Sequence, residues 1–301
     1  MNIIIAGGSG LIGRALCDSL LSEGHFIWIL SRKIPQDEVK KKGLTLLKWD
    51  GSTPAGWGGL VSKMDAVINL AGESLSSWPW TKAQKERFLT SRVNPGKALT
   101  EAIRKASPRP KVLIQASGIN HYGLDGVLAD ESTPPGEDFL ARLTVEWEGA
   151  TKEVESLGVR RCVTRQAIVL APKGGLLPLM TLPVRLLIGG PLGTGKQAVP
   201  WIHIDDVVGA MRFLLFNEDT SGPYNLISPE SVSNSQFYKI LCKCLHLPYW
   251  FKTPAFLLRI MLGEMSVLIL KGRYSTPSRL ILEGYSFKVG ELEKALCISI
   301  K

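Results

Sequence analysis

The opening of the chain restricts its fold more than any other segment. Met1-Asn2-Ile3-Ile4-Ile5-Ala6 is an apolar, β-branched run of strand length, and Gly7-Gly8-Ser9-Gly10-Leu11-Ile12-Gly13 follows it directly. From Leu11 to Ser22 apolar residues recur at helical spacing. A strand, a glycine turn and a helix in that order make a phosphate-binding unit. Glycines let the backbone turn sharply and approach a pyrophosphate, and the helix N-terminus offers unpaired N–H groups and the positive end of its dipole. Gly7, Gly10, Leu11, Ile12 and Gly13 are the candidate cofactor residues of this turn. A plain tight turn is the bland alternative, and the order of strand, glycines and helix argues against it.

The alternation continues. Residues 2–6, 26–30, 44–48, 66–70, 112–116 and 162–165 have strand character, and residues 11–22, 82–105 and 139–157 have helical spacing between them. Strand alternating with helix predicts an α/β Rossmann fold, a doubly wound parallel sheet. After Leu170 the pattern changes to Gly- and Pro-rich stretches and shorter helices. A strand at 223–227 and a helix at 205–216 still suit the sheet. The expected division is a dinucleotide-binding domain over 1–174 and 201–229, with a smaller substrate or cap domain from 175–200 and 230–301. A ligand then lies between cap and sheet, at the carboxyl ends of the strands.

Composition narrows the classes. With 301 residues, 45% hydrophobic and 21% charged, the chain has enough apolar residues for a large core, which excludes disorder, collagen and coiled coil. Its formal charge of +9 suits an anionic partner, yet the cations are scattered, with Lys40-Lys41-Lys42 the only run of three. No nucleic-acid partner is expected. The five cysteines, Cys17, Cys162, Cys242, Cys244 and Cys297, show neither a disulfide framework nor a zinc spacing, so ordinary helix cysteines, no metal and a cytoplasmic location are expected. The run Ile3 to Ala6 is too short for a signal-peptide core. The longest apolar stretch, 255–270, is broken by Arg259 and Glu264 and falls short of the roughly 20 residues of a membrane span. It reads as a buried or a membrane-touching helix, the buried one favoured, and no membrane partner is expected.

The second strand ends in Leu30-Ser31-Arg32-Lys33, where an NAD site places an acid on the ribose. Ser31 and Arg32 suit a 2′-phosphate instead, which favours NADP(H). Asp37 and Glu38 come too late to replace the acid. Gly190-Pro191-Leu192-Gly193-Thr194-Gly195-Lys196 has the spacing of a Walker loop, but Gln197 stands where Ser or Thr would hold magnesium. Pro200 would break the helix such a loop requires, so the segment reads as a substrate-side loop.

These features resemble the extended short-chain dehydrogenase/reductase superfamily, whose Gly-x-x-Gly-x-x-Gly matches Gly7, Gly10 and Gly13. Asn69-Leu70-Ala71-Gly72 resembles its segment after the fourth strand. Ala116-Ser117-Gly118 is similar to the fifth-strand end, Arg165-x-x-x-Val169-Leu170 to the sixth-strand region, and Trp201-Ile202-His203-Ile204-Asp205-Asp206 to the block before the next helix. More narrowly, Ala71-Gly72-Glu73, Ser91-Arg92, Trp147-Glu148 and Gly284-Tyr285-Ser286-Phe287 resemble the atypical members called epimerase family proteins, which include the family 39U group. The resemblance spans nearly the whole chain. It implies an NADP(H)-binding Rossmann protein of the cytoplasm, with Asn69, Ala71, Gly72, Arg142 and Arg165 beside the cofactor, and either a monomer or a homodimer through the helices at 82–105 and 139–157.

The superfamily's proton-transfer pair is Tyr-x-x-x-Lys. Here those positions hold Asp138 and Arg142, and a guanidinium does not release a proton in the useful pH range. Asp138 reads as a helix cap. Ser117 and Tyr122 are the catalytic candidates in its place, although for Tyr122 substrate packing or a plain structural contact is the favoured role. Glu73, Arg92 and His203 are the substrate candidates, with Trp80, Lys85, His121 and Arg273 nearby in the same reading; arginines suit a phosphorylated or nucleotide-linked small molecule. Two functions follow. One is an oxidoreductase or nucleotide-sugar epimerase acting by hydride transfer. The other is a non-catalytic module that senses NADP(H) and regulates a partner protein, motivated by the loss at 138 and 142.

Overall fold

The computed structural model describes residues 1–34, 41–124 and 128–300. Its first half runs β1 (Asn2–Ala6), α1 (Leu11–Ser22), β2 (Phe26–Ser31), β3 (Leu44–Lys48), β4 (Ala66–Asn69), α2 (Lys82–Lys105), β5 (Val112–Gly118), α3 (Phe139–Gly149), β6 (Arg160–Gln166) and β7 (Ile168–Leu170). The second half adds α4 (Leu177–Arg185), β8 (Trp201–His203), α5 (Ile204–Phe216), β9 (Gly222–Leu226) and α6 (Asn234–Leu245). It ends with α7 (Ala255–Leu262), α8 (Val267–Leu270), α9 (Ser278–Leu282) and α10 (Leu292–Ser299).

Seven strands form one parallel sheet in the order β3-β2-β1-β4-β5-β6-β9. The Rossmann α/β fold expected from the alternation is therefore present. Side chains alternate across it, as pleating requires. Ile3 and Ile5 pack on one face with Leu16 and Leu20 of α1 and Met211 and Leu214 of α5, whereas Ile4 and Ala6 pack on the other with Leu99, Ala102 and Ile103 of α2. Both faces are covered, which explains why the inner strands are continuously apolar rather than alternating. The strand order reverses between β1 and β4. That switch point opens a crevice at their carboxyl ends, beside the glycine turn.

β7 and β8 form a separate parallel pair, and Leu170 and Trp201 join a third apolar cluster with residues of α4, α6 and α10. Asp206 ties the C-terminal segment to α5: its fully buried carboxylate accepts from Tyr285 Oη and from the amides of Lys288 and Val289. Those bonds anchor the Gly284–Phe287 block and the two residues after it against α5.

Three expectations need correction. The helix expected over 139–157 stops at Gly149, because the Arg161 guanidinium takes the Glu148 carbonyl and a 3-10 turn, Lys152–Glu155, follows. The stretch 255–270 is not one buried helix. Gly263, at φ +56°, breaks it into α7, a turn and α8, and only Leu258 of α7 is buried. The cysteines are not all ordinary helix residues: Cys244 of α6 and Cys297 of α10 are disulfide-bonded, whereas Cys17, Cys162 and Cys242 are free and buried. Adjacent helices brought the pair together across 53 residues of sequence, a separation that no spacing rule encodes. Pro35, Asp37, Glu38 and Lys40 lie outside the described residues. Among the described residues no helix is long and apolar enough to cross a membrane.

Candidate functional site

The glycine turn is built from close approaches. Gly7 adopts φ +77°, and a Cβ there would lie 2.6 Å from the Leu70 carbonyl carbon. A Cβ on Gly13 would lie 2.4 Å from the Gly7 oxygen. These two glycines hold α1 against the ends of β1 and β4. Gly10 differs, since its Cβ would meet only the Gly7 oxygen, at 3.3 Å, leaving its outer side open. It caps α1 without a side chain, and the first intrahelical bond is Arg14 N to Gly10 O at 2.9 Å. The amides of Leu11, Ile12 and Gly13 precede that bond and are free of intrahelical partners. Gly174 and Gly175 lie against the Leu11 side chain and wall the turn on that side. A pyrophosphate fits this cradle.

At the other end of the crevice, Arg32 and Lys48 stand at the carboxyl ends of β2 and β3. With Trp49, Asp50 and Ala55 they line an open cavity of about 380 Å³. The Arg32 stem rests beside Gly51, and among the described residues neither cation has a carboxylate partner. Asp50 lines the same cavity but forms no ion pair with either cation. Its carboxyl is held down to about 2 by the Thr53 hydroxyl and by the amides of Ser52 and Thr53, all within its own turn. Ser31 donates to the Lys33 carbonyl at 2.6 Å and so shapes the loop. Lys48 was missed in the sequence. A cation closing a strand beside Arg32 was the available signal.

At the end of β4, Asn69 is fully buried, donating to Gln115 Oε1 at 2.9 Å and accepting from the Ala71 amide at 3.2 Å. It sets the path of Ala71 and Gly72 rather than reaching into the crevice. A Cβ on Gly72 would lie 3.2 Å from Arg92 Cζ, so the guanidinium lies against this loop. Arg92 is buried, donates to the Phe88 carbonyl at 3.1 Å, and stacks 4.8 Å over Trp147. Burial pulls it down to about 10, against the opposing charge of Glu73. No carboxylate pairs with it among the described residues. Glu73 itself accepts from Gln84 at 2.8 Å, and its amide donates to Ser91 Oγ at 3.0 Å.

Ser117 and Tyr122 enter one buried network. Ser117, 2% exposed, donates to Glu148 Oε1 at 2.7 Å, and Arg165 grips both oxygens of Glu148, at 2.9 and 3.0 Å. Arg165 also donates to Tyr122 Oη at 2.9 Å, while that phenol, 1% exposed, donates to Asn225 at 2.7 Å. Burial pushes the Tyr122 phenol up, against the lowering effect of Arg165. Burial alone would raise Glu148, yet Arg165 holds it below the usual range. His121 sits 3.5 Å from Glu148, and desolvation pulls it down to about 4, so it is neutral at pH 7. Glu148 joins Ser117 to Tyr122 through Arg165, a role hidden in the sequence because the partners come from three separate elements.

The remaining candidates scatter. Asp138 caps α3 through the Ala141 amide at 2.9 Å, as expected, and also accepts from the Leu124 amide. Arg142 is exposed and folds back onto the Glu137 carbonyl. His203 is buried and caps α5, its Nδ1 accepting from the Asp205 amide at 3.2 Å; burial lowers its pKa. The Walker-like segment packs against the chain that leads into α7: a Cβ on Gly190 would lie 1.8 Å from the Phe251 oxygen. Residues 263–277 cross from one side of the site to the other. Lys85 of α2 pairs with Glu264 at 2.5 Å, Met265, Val267 and Leu268 pack on the Trp80 and Phe88 cluster, and Arg273 donates to the Tyr122 carbonyl at 2.7 Å.

Comparison with known proteins agrees with this geometry. The model of the NAD dependent epimerase/dehydratase family matches residues 3–226, and a domain of unknown function, DUF1731, matches residues 253–297. The epimerase family protein YfhF of Bacillus subtilis (strain 168) is 37% identical over 300 residues, covering 98% of this chain and 97% of that one. The epimerase family protein SAR0825 of Staphylococcus aureus (strain MRSA252) is 34% identical over 298 residues, covering 97% of each. The crystal structure of human epimerase family protein SDR39U1 (isoform 2) with NADPH superposes at TM-score 0.89 with 31% identity, over 100% of this chain and 99% of that one. A nucleoside-diphosphate sugar epimerase from Corynebacterium glutamicum superposes at 0.81 with 29% identity, over 100% of this chain and 58% of that one. The glycine turn at the switch point and the agreement over both parts of the chain lead to one assignment: the chain belongs to the NAD-dependent epimerase/dehydratase family.

Proposed function

We propose that the protein is an NADP(H)-dependent oxidoreductase or nucleotide-sugar epimerase of the cytoplasm. The observation that carries this reading is the pair of cations, Arg32 and Lys48, that line the cavity at the ends of β2 and β3 and have no ion-pair partner among the described residues. They suit the 2′-phosphate that separates NADP(H) from NAD(H), and the human relative was crystallised with NADPH. The turn amides of residues 11–13 hold the pyrophosphate. When bound, the cofactor supplies the hydride acceptor or donor.

The chain's own residues do the rest. Arg92, buried against Gly72 with no ion-pair partner among the described residues, holds an anionic group of a phosphorylated or nucleotide-linked substrate beside Glu73. Ser117 and Tyr122 form the proton-handling pair, linked by Arg165 and Glu148. Arg165 stabilises the phenolate of Tyr122 and opposes the burial that raises it. No nucleic acid takes part, and the protein works as a monomer or homodimer. A cytoplasmic location requires Cys244 and Cys297 to be reduced in the cell, which alkylation in fresh extract reads directly.

A second reading has its own observation. Ser117 and Tyr122 are both buried and hydrogen-bonded, and the usual Tyr-x-x-x-Lys positions hold a helix cap and an exposed arginine. That arrangement suits a module that binds NADP(H), closes its cap through the Lys85–Glu264 contact, and signals to a partner protein without turnover. Turnover on a panel of nucleotide sugars separates the two. The enzyme reading predicts hydride exchange that Tyr122→Phe and Ser117→Ala abolish while NADPH binding persists. Turnover unchanged in both variants removes the pair from the mechanism, and no turnover on any substrate with intact NADPH binding favours the module.

A further inference from the structure

The cap carries an apolar surface that the site does not use. In and just after α4, Leu179, Leu182, Leu186, Leu187 and Ile188 are exposed. Around α7, Trp250 is 68% exposed, Phe256 63%, Ile260 76% and Met261 59%. The two stretches adjoin. Leu192 and Thr253 form a bridge, Gly193 N bonds to the Thr253 carbonyl at 2.9 Å, and Gly190 lies against the Phe251 backbone. The chain leaving α4 is thereby stitched to the chain entering α7. Soluble chains bury such residues or use them, because a large contiguous apolar patch in water is unfavourable.

Charge selects the occupant. Residues 172–204 and 246–263 contain no Asp or Glu, while Lys173, Arg185, Lys196, Lys252 and Arg259 are all exposed. Glu264, just past the second stretch, is held by Lys85. A second copy docked by twofold symmetry would bring together two faces that each carry Arg185, Lys252 and Arg259 and no carboxylate from these stretches, and such faces repel. An anionic bilayer surface offers both halves of the match: acyl chains for leucine, phenylalanine and isoleucine, and headgroup charge for the arginines and lysines. The exposed Trp250 suits the boundary between them.

We infer that α4 and α7 together form a docking face for an anionic lipid bilayer, on which the protein rests peripherally without spanning it. This departs from the absence of a membrane partner expected from the sequence. Of the two readings of 255–270, a buried or a membrane-touching helix, the buried one underlay that view, and the break at Gly263 leaves only Leu258 of α7 buried.

Sedimentation with vesicles of phosphatidylcholine alone, and of phosphatidylcholine mixed with phosphatidylglycerol, tests the face. The expected result is binding to the mixed vesicles only, weakening with added salt. Phe256→Glu with Ile260→Glu, and separately Leu182→Glu with Leu186→Glu, each lower the partition coefficient more than about tenfold while the thermal melt stays unchanged. Arg185→Glu with Arg259→Glu does the same. No binding to mixed vesicles, or binding untouched by the apolar variants, overturns the proposal. So does concentration-dependent self-association in solution that the same variants abolish, which would make the face a contact between copies.

Discussion

Removing the Glu148 charge should cost the protein more stability than any other single change in the network. Arg165 and Glu148 are 7% and 14% exposed at their side chains, and two bonds of 2.9 and 3.0 Å join them. Glu148→Gln keeps the shape but strips Arg165 of its counter-charge and weakens the acceptor of Ser117. Breaking one partner of a buried ion pair costs about 3–5 kcal/mol. At roughly 2–4 °C per kcal/mol for a domain of this class, the melting temperature falls on the order of 6–20 °C. Replacing both partners, Glu148→Leu with Arg165→Met, leaves no orphaned charge and restores most of that loss, to within about 1–2 kcal/mol of the wild type. Urea unfolding followed by tryptophan fluorescence measures all three proteins. A single variant that costs less than about 1 kcal/mol, or a double variant as unstable as the single, would refute the claim that this pair is buried and coupled.

Other consequences are open to direct measurement. His121 is pulled down to about 4 by burial, so below its unfolded value of roughly 6.5 the unfolded chain binds the extra proton, and stability falls by roughly 3 kcal/mol as pH drops from 6.5 to 4. His121→Gln flattens that part of the stability profile; an unchanged profile assigns the acid sensitivity elsewhere. Gly7→Ala meets both a positive φ and a 2.6 Å contact with the Leu70 carbonyl carbon, so it lowers stability by more than about 1 kcal/mol and abolishes dinucleotide binding, read by calorimetry. Reducing the Cys244–Cys297 bond, which closes a separation of 53 residues, removes about 4 kcal/mol by the chain-entropy relation. Melting with and without reductant checks this, and identical curves would contradict it.

What the sequence disclosed follows from how local each signal is. Strands and helices of the sheet were legible because Ile3, Ile4 and Ile5, the glycine turn and the apolar spacing of 11–22 act within a few residues of themselves. Asp138 as a helix cap was legible for the same reason. The site beyond the turn was not. Glu148 draws its meaning from Arg165, Ser117 and His121, on β6, β5 and the turn after it, and no window along the chain contains all of them. The Cys244–Cys297 bond depends likewise on α6 lying beside α10. Arg142 and His203 looked like site residues by position, but one is turned to solvent and the other spent on a helix end. The exposure of α7 hinged on Gly263, where one positive φ redirects the chain and exposes a face that hydropathy alone assigns to the core.

Cofactor choice by Arg32 and Lys48 is the claim on which the rest depends. Calorimetric titration of the wild type, Arg32→Ala and Lys48→Ala with NADPH and NADH tests it most directly. The account predicts that the wild type prefers NADPH. Each variant should lose about tenfold or more in NADPH affinity, the size of one hydrogen bond to a charged phosphate, with NADH affinity unchanged. Equal affinity for the two cofactors in the wild type, or parallel losses for both in the variants, would contradict it.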